Sequence, residues 1–338
     1  MKAMILETPG QWLPVRMEEP REPGPEEALV RIRKVGVCGT DFHAFRGEQP
    51  FFSYPRILGH EVSVEILAVG SQAHGLLPGM RCAVEPYFNC GHCPTCRRGK
   101  PNCCVNLKVF GVHIDGGMRE MALVPLAKLH PSSALTFEQL ALVEPLSIGA
   151  HAVSRGVPTT GEHVLVVGAG PIGLAVTQFT LLTGADVMVM DISPQRLAFC
   201  QHLWPQVTCL DGRDNPLETL QTVMGDDLPT LVFDATGNRQ SMQAAFQYVA
   251  HGGRLVFVGL FQGDVTFHDP HFHQRELTLY SSRNATGADF RHVMASLESG
   301  QVNDALWITH RAISENMTDA FEQWLDPASG VIKAMIEW

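Results

Sequence analysis

With 338 residues, 45% of them hydrophobic and only 18% charged, the chain is long enough to bury about two domains' worth of core and too apolar to stay disordered. Its formal charge of −10 and the lack of any extended basic run argue against nucleic acid or an anionic membrane surface as the main partner, which leaves a small-molecule substrate. Met1 to Trp12 lacks a basic segment followed by an apolar stretch, and no run approaches the ~20 apolar residues needed to cross a bilayer, so a cytoplasmic protein is expected.

The amino-terminal part reads as strands. Val30 and Ile32 alternate with Arg31 and Arg33, and Pro23-Gly24-Pro25 and Pro78-Gly79 punctuate the pattern, the rhythm of a β-rich domain. Ligand-type side chains occur in Val37-Cys38-Gly39-Thr40-Asp41-Phe42-His43, in Gly59-His60-Glu61 and in Val143-Glu144-Pro145. A lone His or Cys is uninformative, but Cys38, His60, Glu61 and Glu144 together offer a thiolate, an imidazole and two carboxylates. Such mixed ligands suit a catalytic zinc that keeps one position open. Between them, Cys90, Cys93, Cys96 and Cys104 give C-x2-C-x2-C-x7-C, the spacing of a closed tetrahedral site that braces a loop and does no chemistry. An iron cluster uses similar ligands, and metal analysis separates the two. Nine cysteines, clustered at metal spacing, fit a reducing compartment better than a disulfide framework.

From Gly161 the pattern changes. The buried run His163-Val164-Leu165-Val166-Val167 leads into Gly168-Ala169-Gly170-Pro171-Ile172-Gly173, then a helical stretch that stops at Thr183-Gly184, then Val187-Met188-Val189-Met190 ending at Asp191. This β-α-β unit carries a dinucleotide fingerprint. Gly168 permits the tight turn, Gly170 lets backbone approach a pyrophosphate, Gly173 allows close helix–strand packing, and the helix amino terminus attracts phosphate. Asp191 is placed to bind the adenosine ribose and would repel a 2′-phosphate, which favours NAD over NADP. Apolar runs at Leu231-Val232-Phe233, Leu255 to Val258 and Leu277 to Tyr280 alternate with helical stretches at Gln195 to Leu203 and Gln240 to Ala250, as an α/β fold with a parallel sheet requires. Ala288 to Glu298 and Glu315 to Leu325 read as helices and Val331 to Trp338 as a last strand that returns to the amino-terminal domain. An exposed strand near Val265 to Phe267 could pair between chains, and His268 to His273 reads as a surface loop with no assigned function.

Taken in order, these motifs over essentially the full length resemble the zinc-dependent medium-chain dehydrogenases, the alcohol and polyol dehydrogenase superfamily. The resemblance implies a GroES-like β-rich catalytic domain, residues 1–147 with 286–338 returning to it, interrupted by a Rossmann doubly wound parallel-sheet domain at 148–285, in a homodimer or homotetramer. It implies two Zn2+ per chain and NAD, with Cys38 and His60 as catalytic zinc ligands and Glu61 and Glu144 competing for the third protein position, as in the polyol branch. Thr40 and His43 match the family's proton relay. Val109 to His113 with Asp115-Gly116-Gly117 and Ser281-Ser282-Arg283-Asn284 also resemble the L-galactonate and L-gulonate 5-dehydrogenase branch. That likeness implies oxidation of a hexonate whose carboxylate meets Arg283, with Arg46 and Arg119 as secondary candidates. A polyol or L-threonine dehydrogenase is the alternative enzyme, and an NAD-binding regulator without turnover the alternative from another class.

Overall fold

Alternation in Glu27–Val37 becomes alternation in burial: Ala28, Val30 and Ile32 point into a core while Arg31 faces water. Val30 and Ile32 each contribute about 1.5–3 kcal/mol on transfer from water. In the computed structural model, which describes every residue except 50, 51, 226, 305 and 306, the chain divides into two compact units, Met1–Glu144 with Ala285–Trp338, and Pro145–Asn284.

The first unit is built on a seven-stranded sheet. Its order runs Ile308–Ile313, Lys333–Glu337, Glu27–Val37, Glu61–Val69, Arg81–Val84, Leu129–Pro131, with Met121–Pro125 also pairing on Glu27–Val37. The carboxy-terminal strand is thus internal to this sheet: Ala334 pairs with Val37 and Ile336 with Val35. Two short strands, Tyr87–Phe88 and Lys108–Val109, pair at the base of the four-cysteine loop. The helix Phe137–Gly156 carries Glu144 and contains Pro145 in its interior.

The second unit is a six-stranded parallel sheet in the order Thr208–Asp211, Asp186–Asp191, His163–Val167, Leu231–Asp234, Arg254–Phe257, Thr278–Ser281. Val164, Leu165 and Val166 are fully buried because helices cover both faces, which is why these strands read as unbroken apolar runs. Three of the helices begin with proline at the first position, Pro171–Leu181, Pro194–Leu203 and Pro216–Met224, where a missing N–H costs nothing. Strand order reverses beside His163–Val167, the switch point at which such sheets bind nucleotides.

Three sequence expectations are corrected. Residues 265–267 form no strand; the Phe267 ring stacks on Phe246 at 4.8 Å, so the segment is anchored by an aromatic contact and not by ladder hydrogen bonds. His268 to His273 is not a loop: Asp269–Gln274 is a short helix capped at His268, held because Phe272 packs against Phe246 and Phe267. The stretch expected as a helix from Gln240 is shorter, an α-helix Arg239–Ala244 that tightens into a 3-10 turn Ala245–Tyr248.

Candidate active site

Cys38 stands where the strand Glu27–Val37 turns into the helix Gly39–Phe45. Its N–H donates to the Asp41 carboxylate at 2.9 Å, a capping interaction that fixes the turn. The neighbouring strand begins at Glu61, directly opposite Gly36. A Cβ on residue 36 would fall 2.1 Å from Glu61 Oε2, so only glycine leaves room for that carboxylate. As a result Cys38, His60 and Glu61 each bring a ligand atom within 4.8 Å of the others.

Around this trio several ionisable groups are buried together. Glu61 is fully buried, and both of its oxygens accept from the Lys333 ammonium, at 2.5 and 2.8 Å; Lys333 also donates to the Val37 carbonyl at 3.3 Å. Asp41 is buried, and its Oδ1 lies 3.8 Å from His60 Nδ1, neither atom having a hydrogen-bond partner among the described residues. Glu144, also buried, accepts a hydrogen bond from the Tyr87 hydroxyl through Oε1. Burial opposes charge on His60, yet the surrounding Asp41, Cys38 and Glu144 outweigh it and hold its pKa well above the ordinary value. Burial, reinforced by the Glu61 charge, pushes the Glu144 carboxyl up to about 7. Burial first and the Glu144 charge second raise the Tyr87 phenol, so it keeps its proton and donates. A thiol, an imidazole and a carboxylate converge here, with His60 Nδ1 and Asp41 Oδ1 buried and without hydrogen-bond partners among the described residues, and this donor set fits a divalent zinc.

The four cysteines converge separately. Cys93 Sγ lies 3.4 Å from Cys96 Sγ and 3.8 Å from Cys104 Sγ, and Cys104 Sγ lies 3.5 Å from Cys90 Sγ. Four sulfurs at about 2.3 Å from one zinc ion would sit ~3.8 Å apart, so the cage fits. Backbone N–H groups of Cys90 and Asn106 donate to Cys104 Sγ at 3.3 and 3.4 Å, as thiolates require. Among the described residues these two clusters are the groups of three or more ligand-type side chains close enough to share an ion, and the histidines at 268–273 are not one of them.

In the second unit, Gly168 has a φ of 99°, and Gly170 caps the helix that starts at Pro171 and Ile172. A Cβ at Gly173 would lie 1.7 Å from the Gly168 carbonyl oxygen, so the helix sits directly on the turn. Asp191 ends its strand with both carboxylate oxygens engaged, Oδ2 by the Ala169 N–H at 2.6 Å and Oδ1 by the Ser193 N–H at 2.7 Å. Those bonds tie the acidic residue to the fingerprint loop.

The two parts of the chain match two family models, the alcohol dehydrogenase GroES-like domain over residues 24–134 and the zinc-binding dehydrogenase domain over residues 171–299. The chain belongs to the zinc-type alcohol dehydrogenase superfamily. Among relatives of this zinc-type dehydrogenase, L-galactonate-5-dehydrogenase of Escherichia coli K12 is 41% identical over 99% of the chain and 98% of its own length. Sorbitol dehydrogenase of Bacillus subtilis 168 is 30% identical, covering 92% of this chain and 90% of its own. A crystal structure described as a short chain alcohol dehydrogenase, RspB, from E. coli CFT073 with NADH superposes with a TM-score of 0.92 at 31% identity, covering 100% and 99% of the two chains. This dehydrogenase therefore acts on CH–OH donors.

The remaining candidates differ in placement. Thr40 is half-buried and His43 exposed on the helix Gly39–Phe45, and His43 Nδ1 lies 3.2 Å from Glu48 Oε2. Arg283 is exposed just beyond the strand Thr278–Ser281 of the second unit. Arg46 donates to the Leu325 carbonyl, and Arg119, half-buried, lies over the Phe110 ring and donates to the Asp115 carbonyl. Sequence reading missed three residues of the site. Asp41 has the capping-box spacing from Cys38, and Lys333 is a lone charge in the apolar run Val331 to Ile336; both signals were available. Tyr87 had none.

Proposed function

We propose that this dehydrogenase oxidises a secondary alcohol on a hexonate, of the L-gulonate or L-galactonate kind, to a keto acid with NAD as hydride acceptor. The alcohol and NAD+ give the ketone, NADH and a proton. The full-length relative named L-galactonate-5-dehydrogenase, at 41% identity, carries this reading. Cys38, His60 and one of Glu61 or Glu144 would hold the catalytic zinc, and Cys90, Cys93, Cys96 and Cys104 the structural one. Zinc supplies Lewis acidity that lets a hydroxyl give up its proton near neutral pH, a change that for bound water is from about 15.7 to ~7. Gly168, Gly170, Pro171, Ile172 and Gly173 cradle the cofactor's phosphates, and Asp191 reads its ribose and disfavours a 2′-phosphate. Thr40 and His43 lie at i and i+3 on one helix, the spacing that lets a hydroxyl and an imidazole pass a proton outward. Arg283 offers a guanidinium to the substrate carboxylate. In solution the enzyme is a homodimer or homotetramer; the open edge of Thr278–Ser281, with Leu279 exposed, supports association.

A panel of hexonates, pentitols, hexitols and threonine, each with NAD and with NADP and followed by absorbance of the reduced cofactor, tests the reading. Hexonate turnover with NAD at a kcat/KM at least tenfold above the neutral polyols is expected. The sorbitol dehydrogenase relative makes the polyols the competing arm, and preferential turnover of a polyol would replace the sugar acid as substrate.

A further inference from the structure

The two glutamates at the site are held by different chemistry. Glu61 belongs to the trio and has both oxygens on an ammonium, whereas Glu144 has one oxygen on a phenol. The phenol comes from an unexpected place. Tyr87 lies on the short strand that leads into the four-cysteine loop, pairs with Val109 on the strand that leaves it, and rests edge-on against Phe290 at 6.4 Å. Two residues before it, Glu85 is gripped by Lys128 Nζ at 2.5 Å and His130 Nε2 at 3.0 Å, and the Glu85 N–H donates to the Lys128 carbonyl. Tyr87 is buried, so its hydroxyl has no water to exchange with and its bond to Glu144 is not a surface contact.

We propose that Tyr87 is a positioning residue of the catalytic zinc site: its hydroxyl locks the Glu144 carboxylate in one orientation, leaving the other oxygen to face the metal or the group bound to it. This inference rests on the zinc-dehydrogenase reading above. The physical reason is directional. A carboxylate that accepts a fixed donor through Oε1 loses its freedom to rotate, and a partner of this kind typically changes metal affinity or activity by roughly 10- to 100-fold when removed. The strand pair at the foot of the cysteine loop gives that loop a route to the reaction centre, since Tyr87 sits on the strand the loop extends.

Tyr87→Phe keeps the ring and its packing on Phe290 and deletes only the donor. In holoenzyme carrying cobalt(II) at the catalytic position, the visible ligand-field bands should move in Tyr87→Phe, release of that metal to a chelator should quicken at least tenfold, and kcat should fall at least tenfold with a smaller change in KM. In a Glu144→Gln background the same substitution should add less than threefold to the release rate. A wild-type spectrum and wild-type release rate in Tyr87→Phe would overturn the proposal, as would full additivity with Glu144→Gln. Failure of the underlying reading looks different: wild-type protein that binds no metal outside the four-cysteine loop.

Discussion

At the scale of single residues, the site depends on how buried charge is compensated. Lys333 is almost completely enclosed and faces Glu61 through both carboxylate oxygens, so removing it leaves an unpaired anion away from water. Loss of one partner from such a pair costs about 3–5 kcal/mol. Lys333→Met should therefore lower the unfolding free energy of the metal-free chain, from denaturant titration, by that amount, and Glu61→Gln combined with it should recover much of the loss. A Lys333→Met chain as stable as wild type would show that Glu61 does not need its counter-charge. The two residues are 272 positions apart, so their pairing could not be read from local spacing. Cys38, His60 and Glu61 were legible only in combination, because a thiol, an imidazole and carboxylates together make a ligand set that none of them makes alone.

At the scale of elements, the Glu85 cluster couples a strand end to pH. Burial opposes charge on Glu85, but the His130 hydrogen bond and the Lys128 ammonium outweigh it and hold the carboxyl below its ordinary 4.5. The folded value is depressed, so the stabilisation is complete above pH 4.5 and drains away as pH falls through the folded value. Glu85→Gln should cost about 1–3 kcal/mol at neutral pH, with the gap to wild type closing below pH 4.5. Parallel stability curves across that range would remove Glu85 from the acid response. Elements differed in how openly the sequence announced them. The strand His163–Val167 and the helix after it were plain from an apolar run, three glycines and a proline. The helix Phe137–Gly156 was hidden because Glu144 precedes a proline, which normally ends a helix; here the helix continues past Pro145, which has no N–H to return to the Ala141 carbonyl. The strand Thr208–Asp211 was too short and too mixed to register.

At the scale of the whole molecule, two separate groups of ligand-type side chains imply two separable losses. Cys38→Ser should reduce bound zinc from two per chain to one and abolish turnover while leaving the four-thiolate cage filled. Cys93→Ser should also leave one zinc per chain, but with a larger fall in thermal stability, because a structural site contributes its binding free energy to folding. Equal stability of the two variants, measured by calorimetry beside metal analysis, would mean that the cysteine loop is not a brace. The α/β architecture was recoverable because periodicity switches from alternating to continuous apolar runs near Gly161. The side-chain network around the trio was not, because hydrogen bonds between distant strands leave no trace in local pattern.

The strand Lys333–Glu337 lies beside Glu27–Val37 in space, yet follows the entire parallel-sheet unit in the chain. During synthesis the nucleotide-binding unit emerges as one continuous stretch and can acquire its core as it leaves the ribosome. The unit that carries Cys38, His60 and Glu61 cannot: until Lys333–Glu337 arrives, Glu61 has no ammonium beside it and the sheet lacks an interior member, so the candidate zinc site is completed only after the parallel-sheet unit has been synthesised.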